Sequence, residues 1–177
     1  MTPQEKLRRF DGEISPHLGS AYNLARWLTH NHEDAEDVVQ EAFLRAFSSF
    51  ESFRGSDGRP WLLAIVRNTS MTFMSRKRGA GQESDFEAAA KSTAAPDEDP
   101  EAQLVASCSR EQLREALDTL PPDFRETIVL RELEELSYKE IASITGVPMG
   151  TVMSRLARAR DALRGILTNR RRGVSRA

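Results

Sequence analysis

From Gly79 to Val105 the sequence loses its apolar periodicity, and that gap constrains the architecture most: each flank must bury a core of its own. The tract is mostly Gly, Ala, Ser, Thr, Pro and acids, with Lys91 as its one base against Glu83, Asp85, Glu87, Asp97, Glu98, Asp99 and Glu101. Such a composition buries too little apolar surface to offset the entropy of ordering it, so it reads as a flexible acidic linker. The 177 residues are therefore expected to divide into a domain over 1–78, a linker over 79–105 and a domain over 106–177. Two domains of this size each have only a modest core.

Both flanks carry helical spacing. Ile14, Leu18, Ala21, Ala25 and Leu28 form one apolar stripe, and Ala35, Val38, Val39, Ala42, Phe43, Ala46 and Phe47 form the buried face of a second helix. Asn31 is placed to cap that helix, with Glu33 and Asp34 at the positive end of its dipole. Phe50 joins Phe43 and Phe47 as an expected core residue. The stretch Phe53-Arg-Gly-Ser-Asp-Gly-Arg-Pro60 reads as a loop whose proline opens a third helix. That helix buries Leu62, Ile65, Val66, Thr69 and Phe73 and runs into Arg76-Lys77-Arg78. Beyond the linker, Leu113, Ala116, Leu117 and Leu120 make a stripe, Pro121-Pro122 breaks it, and Phe124 to Leu136 reads as one largely buried segment. No strand pattern appears, so the expected fold is all-α.

The charge balance conceals a division. The total is only −2, but from Pro148 onward Asp161 is the sole acid against Arg155, Arg158, Arg160, Arg164, Arg170, Arg171, Arg172 and Arg176. Phosphate responds to such local patches rather than to the sum. Cys108 is the single cysteine, which excludes an internal disulfide and a cysteine-based zinc site. His17, His30 and His32 have no metal-ligand spacing. No apolar run approaches the roughly 20 residues of a membrane span, and Met1 to Phe10 lacks a signal peptide's apolar stretch. A cytoplasmic chain is the expectation.

The clearest local pattern begins at Ser137. Ser137 and Glu140 form a capping box, Ile141 and Ala142 face a core, Gly146 supplies a turn and Pro148 opens another helix. This is the grammar of a helix-turn-helix. On the second helix Val152, Leu156, Ala159 and Leu163 share one face. Thr151, Ser154, Arg155 and Arg158 share another, centred roughly 110° away and free of acids. Arginine reads guanine bidentately in the major groove, and serine or threonine bonds bases or phosphates. Lys139, Arg160 and Arg164 lie to the sides, suited to phosphate neutralisation. An Arg-rich exposed helix is also simply a solvated one; the capped helix, glycine turn and segregated face together favour DNA.

In the N-terminal half, "DAEDVVQEAFLRAF" (34–47) is an amphipathic helix with Asp37, Gln40, Glu41 and Arg45 outward, which alone reads as a solvated face. The chain resembles the extracytoplasmic-function sigma factors of the sigma-70 family along nearly its whole length, the linker excepted. This segment is similar to their region 2.2. "SFRGSDGRPWLLAIVRNTS…SRKR" is similar to regions 2.3 and 2.4, and "LPPDFRETIVLRELEELSYKEIASITGVPMGTVMSRLARARDALR" to regions 4.1 and 4.2.

The resemblance implies that Asp37, Gln40 and Glu41 dock on the β′ clamp helices of RNA polymerase. It implies that the loop before the third helix, with that helix, holds the melted non-template strand of the −10 element. Arg54, Ser56, Asp57, Arg59, Trp61, Asn68, Arg76, Lys77 and Arg78 are the candidates there, with Asn68 at the flipped-base position. A loop of Gly, Ser and Arg suits unstacked bases, and the basic run suits the backbone. Taken singly, Trp61 also reads as a packing aromatic, and Arg76-Lys77-Arg78 as a solvated helix end. Ser154, Arg155 and Arg158 match the family's −35-reading positions, accompanied by Thr151, Lys139 and Arg160; Met153 departs, because Lys or Arg is common there. The implied partners are core polymerase (β′ clamp helices and β flap), promoter DNA and an anti-sigma factor, with no cofactor, metal or membrane insertion.

Two other classes compete. A conventional helix-turn-helix regulator would bind duplex DNA without polymerase, but a dimeric one usually fixes its reading heads at a set spacing, which a tether does not. A pure adaptor would leave the arginine face unexplained. An enzyme is not expected: no phosphate-cradling glycine loop, activated nucleophile or metal spacing is present.

Overall fold

The computed structural model describes residues 1–80 and 110–174; the acidic tract from residue 81 onward and Cys108 lie outside the described residues. Those described are helical, without a strand among them. Contacts group the chain into two units, Met1–Ala88 with Val129–Met149, and Ala89–Ile128 with Gly150–Ala177. This grouping joins Val129–Met149 to the N-terminal residues, unlike the division expected at 78 and 106.

The first unit begins with a helix the periodicity did not suggest. α1 (Pro3–Glu13) is started by a capping box in which Thr2 and Glu5 bond each other's backbone N–H. The expected stripe through Ile14 and Leu18 is interrupted, because Pro16 sits in a 3-10 turn at Ser15–His17. α2 (Leu18–Thr29) therefore starts in a new register, burying Ala21, Leu24 and Ala25 and leaving Leu18 50% exposed. His30, at φ 58°, ends it in the left-handed region.

α3 (His32–Ser49) is capped by Asn31, whose Oδ1 accepts from Asp34 N–H at 3.1 Å. Its buried residues are Ala35, Val38, Val39, Ala42 and Ala46. Phe43 and Phe47, expected in the core, are only half-buried. They pack edge-on against buried Phe10, with centroids at 6.1 and 5.2 Å. The physical reason is α1: it supplies one aromatic wall and leaves the other side of these rings to solvent. Phe50, in the 3-10 turn Phe50–Ser52, joins the cluster at 5.3 Å from Phe10.

α4 (Gly58–Gly79) is capped by Asp57, whose Oδ1 accepts from Arg59 N–H at 3.0 Å. Glycine is required at its first residue, because a Cβ at Gly58 would stand 2.5 Å from the Glu13 carbonyl oxygen and 2.6 Å from Ile14 Cδ1. Leu62, Leu63, Val66, Thr69 and Ser70 are buried along it, whereas Ile65 and Phe73, expected in the core, are half-buried. α2, α3 and α4 pack pairwise into the core of this unit.

Its remaining segment opens with a π-helical turn at Val129–Leu133. α7 (Tyr138–Thr145) follows, capped by the expected Ser137–Glu140 box and closed by Gly146 at φ 73°. α7 lies against α4, and the π turn against α2.

The second unit contains α5 (residues 110–118), α6 (Pro122–Ile128) and all but the first residue of α8 (Met149–Val174). Ala116, Leu117 and Leu120 are buried as expected; Leu113 is 39% exposed. The segment Phe124 to Leu136 is not one helix, since it passes from α6 into the π turn and then a loop. Arg125 organises the end of α5. Its Nε donates to the Leu117 carbonyl at 3.2 Å and its Nη2 to those of Leu120 and Asp118 at 3.1 and 3.4 Å, taking up carbonyls the helix end leaves unpaired. Burial pushes its pKa below the ordinary value, with the Asp118 charge acting in the opposite direction. Arg170 Nη1 meets Glu115 Oε2 at 2.6 Å, tying α8 to α5.

Candidate functional site

Three surfaces carry the candidate residues, and the local structure treats them differently. On α8, Val152, Leu156 and Ala159 are buried, which turns the opposite face outward. Ser154 and Arg158 are exposed there, and Thr151 is half-buried. Ser154 Oγ donates to the Thr151 carbonyl at 3.1 Å, a local bond that leaves the hydroxyl able to accept. Arg155 is less free: its side chain is 21% exposed and its Nη2 lies 3.3 Å from Asp123 Oδ2 on α6. Arg160 and Met153 of α8 are exposed, as is Lys139 of α7. Leu163, placed with the buried stripe, is half-buried.

The loop before α4 is held from below by aromatic rings. Phe53 is buried, stacks on Phe50 at 6.0 Å, and packs on Trp61 at 5.0 Å between centroids. Trp61 thus serves as a packing aromatic with part of its surface outward. Gly55 passes so close to Phe53 that a Cβ would stand 2.8 Å from the ring.

Around this support several candidate groups have internal partners. The Arg54 guanidinium donates to the Glu51 and Phe53 carbonyls. Asp57 is the N-cap, and Arg59 meets Glu134 at 2.8 Å. Ser56 and Asn68 are exposed. At the far end of α4, Lys77 Nζ lies 2.5 Å from Asp34 Oδ2, so it bridges back to α3. Arg76 is 69% exposed and 4.0 Å from Glu41, and Arg78 is exposed.

On α3, Asp37 and Gln40 point to solvent, and Glu41 is half-buried and ion-paired with Arg45. Beside them Leu44 is 70% exposed and Leu7 of α1 58%. These leucines, with Phe43 and Phe47, line an open apolar groove between α1 and α3. An exposed apolar strip bordered by acids is a candidate docking surface. Sequence reasoning missed Leu7 and Leu44. Leu44 was visible as the apolar residue that falls outside the buried stripe of α3.

No helix among the described residues is long and apolar enough to cross a membrane.

Comparison with known proteins bears on the family. The family model for sigma-70 region 2 matches residues 14–79, and that for sigma-70 region 4 matches residues 110–163. The chain is 39% identical over 137 residues to the ECF RNA polymerase sigma-E factor of Escherichia coli K12, covering 73% of this chain and 72% of that protein. It is 36% identical over 169 residues to the ECF RNA polymerase sigma factor SigE of Mycolicibacterium smegmatis, covering 93% of this chain but only 63% of that longer protein. Among solved structures, it is similar to the sigma factor RpoE of Bartonella quintana in its complex with the anti-sigma factor NepR. That match has a TM-score of 0.74 and 30% identity, over 91% of this chain and 98% of the other. The match to CnrH in complex with the cytosolic domain of CnrY has a TM-score of 0.66 at 23% identity, over 92% and 90% of the two chains, and speaks for the fold alone. With both sigma-70 regions present in order, the chain belongs to the ECF RNA polymerase sigma factors of the sigma-70 family.

Proposed function

We propose that this chain binds core RNA polymerase and directs it to promoters by reading a −35 and a −10 element, under the control of an anti-sigma factor. The carrying observation is the outward face of α8, where Ser154 and Arg158 stand exposed over the buried Val152–Leu156–Ala159 stripe. Such a face fits the major groove, with Arg158 and Arg155 as base readers and Thr151, Lys139 and Arg160 as flanking contacts.

The work divides over 1–78 and 106–177, joined by the acidic tract 79–105. In the first domain α3 docks on the clamp helices through Asp37, Gln40 and Glu41, with Leu44 adding apolar contact. The loop before α4, with Asn68 on that helix and the basic run at its end, holds the melted strand. Capture of one strand shifts a melting equilibrium and needs no covalent step, cofactor or metal. The second domain reaches the β flap as well as the −35 duplex. Such a protein works in the cytoplasm, and the anti-sigma factor acts by covering polymerase-binding faces.

The test is in vitro transcription on a pool of promoter fragments with core polymerase, with and without this chain. Chain-dependent start sites sharing −35 and −10 elements are the expected result. Their absence with folded protein would move a conventional helix-turn-helix regulator to first place.

A further inference from the structure

Arg155 and Arg158 lie about one helical turn apart on α8 and are held differently. Arg158 is exposed. The Arg155 side chain is 21% exposed, and its Nη2 lies 3.3 Å from Asp123 Oδ2. The acid is the less covered partner, 63% exposed in the first turn of α6. A carboxylate beside a surface that meets DNA repels phosphate, so its presence there asks for a reason.

The carboxylate is carried on a rigid turn. The Pro121 carbonyl accepts from the Phe124 and Arg125 N–H groups, each at 3.0 Å. The Thr127 hydroxyl donates to the Asp123 carbonyl at 2.7 Å. Arg125 then ties the same helix to the end of α5 through the Leu117, Asp118 and Leu120 carbonyls. An arginine, by contrast, has a long side chain that loses much entropy when it is ordered. The pair is a weak source of stability, because a solvent-accessible ion pair contributes little. It is an effective orienting contact, because a guanidinium has donors to spare: one meets Asp123 while others stay available for guanine O6 and N7.

The inference rests on the −35 reading proposed above and adds a residue to it. We infer that Asp123 is a positioning residue for Arg155. It holds the guanidinium toward the base edge and keeps it from swinging to a phosphate, so that Arg155 supplies sequence preference rather than general attraction to DNA. An acid in the first turn of α6 also suits the helix dipole, but that role would change unfolding and not base preference.

The test is promoter competition by core polymerase carrying the full chain, scored on promoters with each −35 base pair changed in turn. R155A first marks the base pair that Arg155 reads, as the one whose preference is lost. D123A should reduce preference at that base pair by about fivefold, equivalent to roughly 1 kcal/mol, and leave the one marked by R158A as it was. D123A/R155A should be no worse than R155A, and D123E, which restores a carboxylate, should recover part of the preference. The full chain carrying D123A should also bind a duplex without a −35 element with a salt slope steeper by about 0.9, the signature of one additional phosphate contact.

Unchanged preference at the Arg155 base pair in D123A, or no base pair marked by R155A, would overturn the positioning role. Equal salt slopes would overturn the restraint on phosphate. If D123A weakens preference at every base pair and lowers the unfolding midpoint, D123N decides: it keeps the side-chain size, removes the charge and must relax the Arg155 base pair alone. Chain-dependent start sites with that preference unmoved sink the role of Asp123 and spare the promoter reading, whereas no start sites at all sink both.

Discussion

The loop leading into α4 and the face of α8 were assigned the same kind of task, and they are built in opposite ways. On α8 the helix does the sorting. A buried stripe fixes the rotation, and Ser154 and Arg158 are left outward. At α4 five of the candidate residues are part of the scaffold. Asp57 caps the helix, Trp61 packs on Phe53, Arg54 holds two carbonyls, and Arg59 and Lys77 are ion-paired. A helix face separates recognition from stability, whereas an irregular loop needs polar side chains to hold its backbone.

The contrast is testable, beginning where the effect should be largest. Gly58→Ala places a methyl against the Glu13 carbonyl and should destabilise the first unit by about 2–3 kcal/mol, read as a lower unfolding midpoint with −35 duplex binding retained. Equal damage to both activities would mean that the two surfaces are not independent. Arg158→Ala should leave the melting temperature alone and cost about 1–3 kcal/mol at −35 elements in promoter competition. A stability loss of that size would place Arg158 in the scaffold after all.

Asp57 separates cap from contact. Asp57→Ala should lose about 1 kcal/mol of stability while Asp57→Asn, an equally good cap, loses almost none. Thermal unfolding reads the cap, and −10 strand binding that falls in Asn as well would assign the carboxylate a second role.

The smallest effect concerns α1. Its capping hydrogen bonds from the Thr2 backbone and side chain hold the Glu5 carboxyl below the ordinary glutamate range. A depressed folded-state pKa means the contribution is complete above the unfolded value and lost as pH falls through the folded one. The protection factors of the α1 amides, taken relative to intrinsic exchange at each pH, should fall only at acidic pH, and Glu5→Gln should flatten that dependence.

Much of the fold was legible because helical spacing and caps are local signals. Asn31, the Ser137–Glu140 box, Gly146 and the break at Pro121-Pro122 were all read from neighbours in the chain. α1 was missed although Thr2 and Glu5 spell the same capping pattern, because Phe10 is its one buried residue and no stripe supports it. Phe43 and Phe47 were misplaced because α1 covers only one side of them. The burial of Glu134 had no local mark at all: it sits beside exposed Glu132 and Glu135, and only a partner distant in sequence distinguishes it. At the candidate site, the outward placement of Ser154 and Arg158 was legible on α8 because the period gives the face. In the loop, the same letters left open whether a side chain serves nucleic acid or its own backbone.

Arg59 and Glu134 are separated by 75 residues of sequence, and a ribosome delivers them in order. At roughly 5–20 residues per second, the acid emerges about 4–15 s after the base. For that interval every nascent copy has the beginning of α4 complete and its guanidinium without a carboxylate, a state the finished chain leaves once synthesis passes the π turn. Translation speed between these two codons therefore sets how long each new molecule waits before the ion pair that completes the packing of the first unit can form.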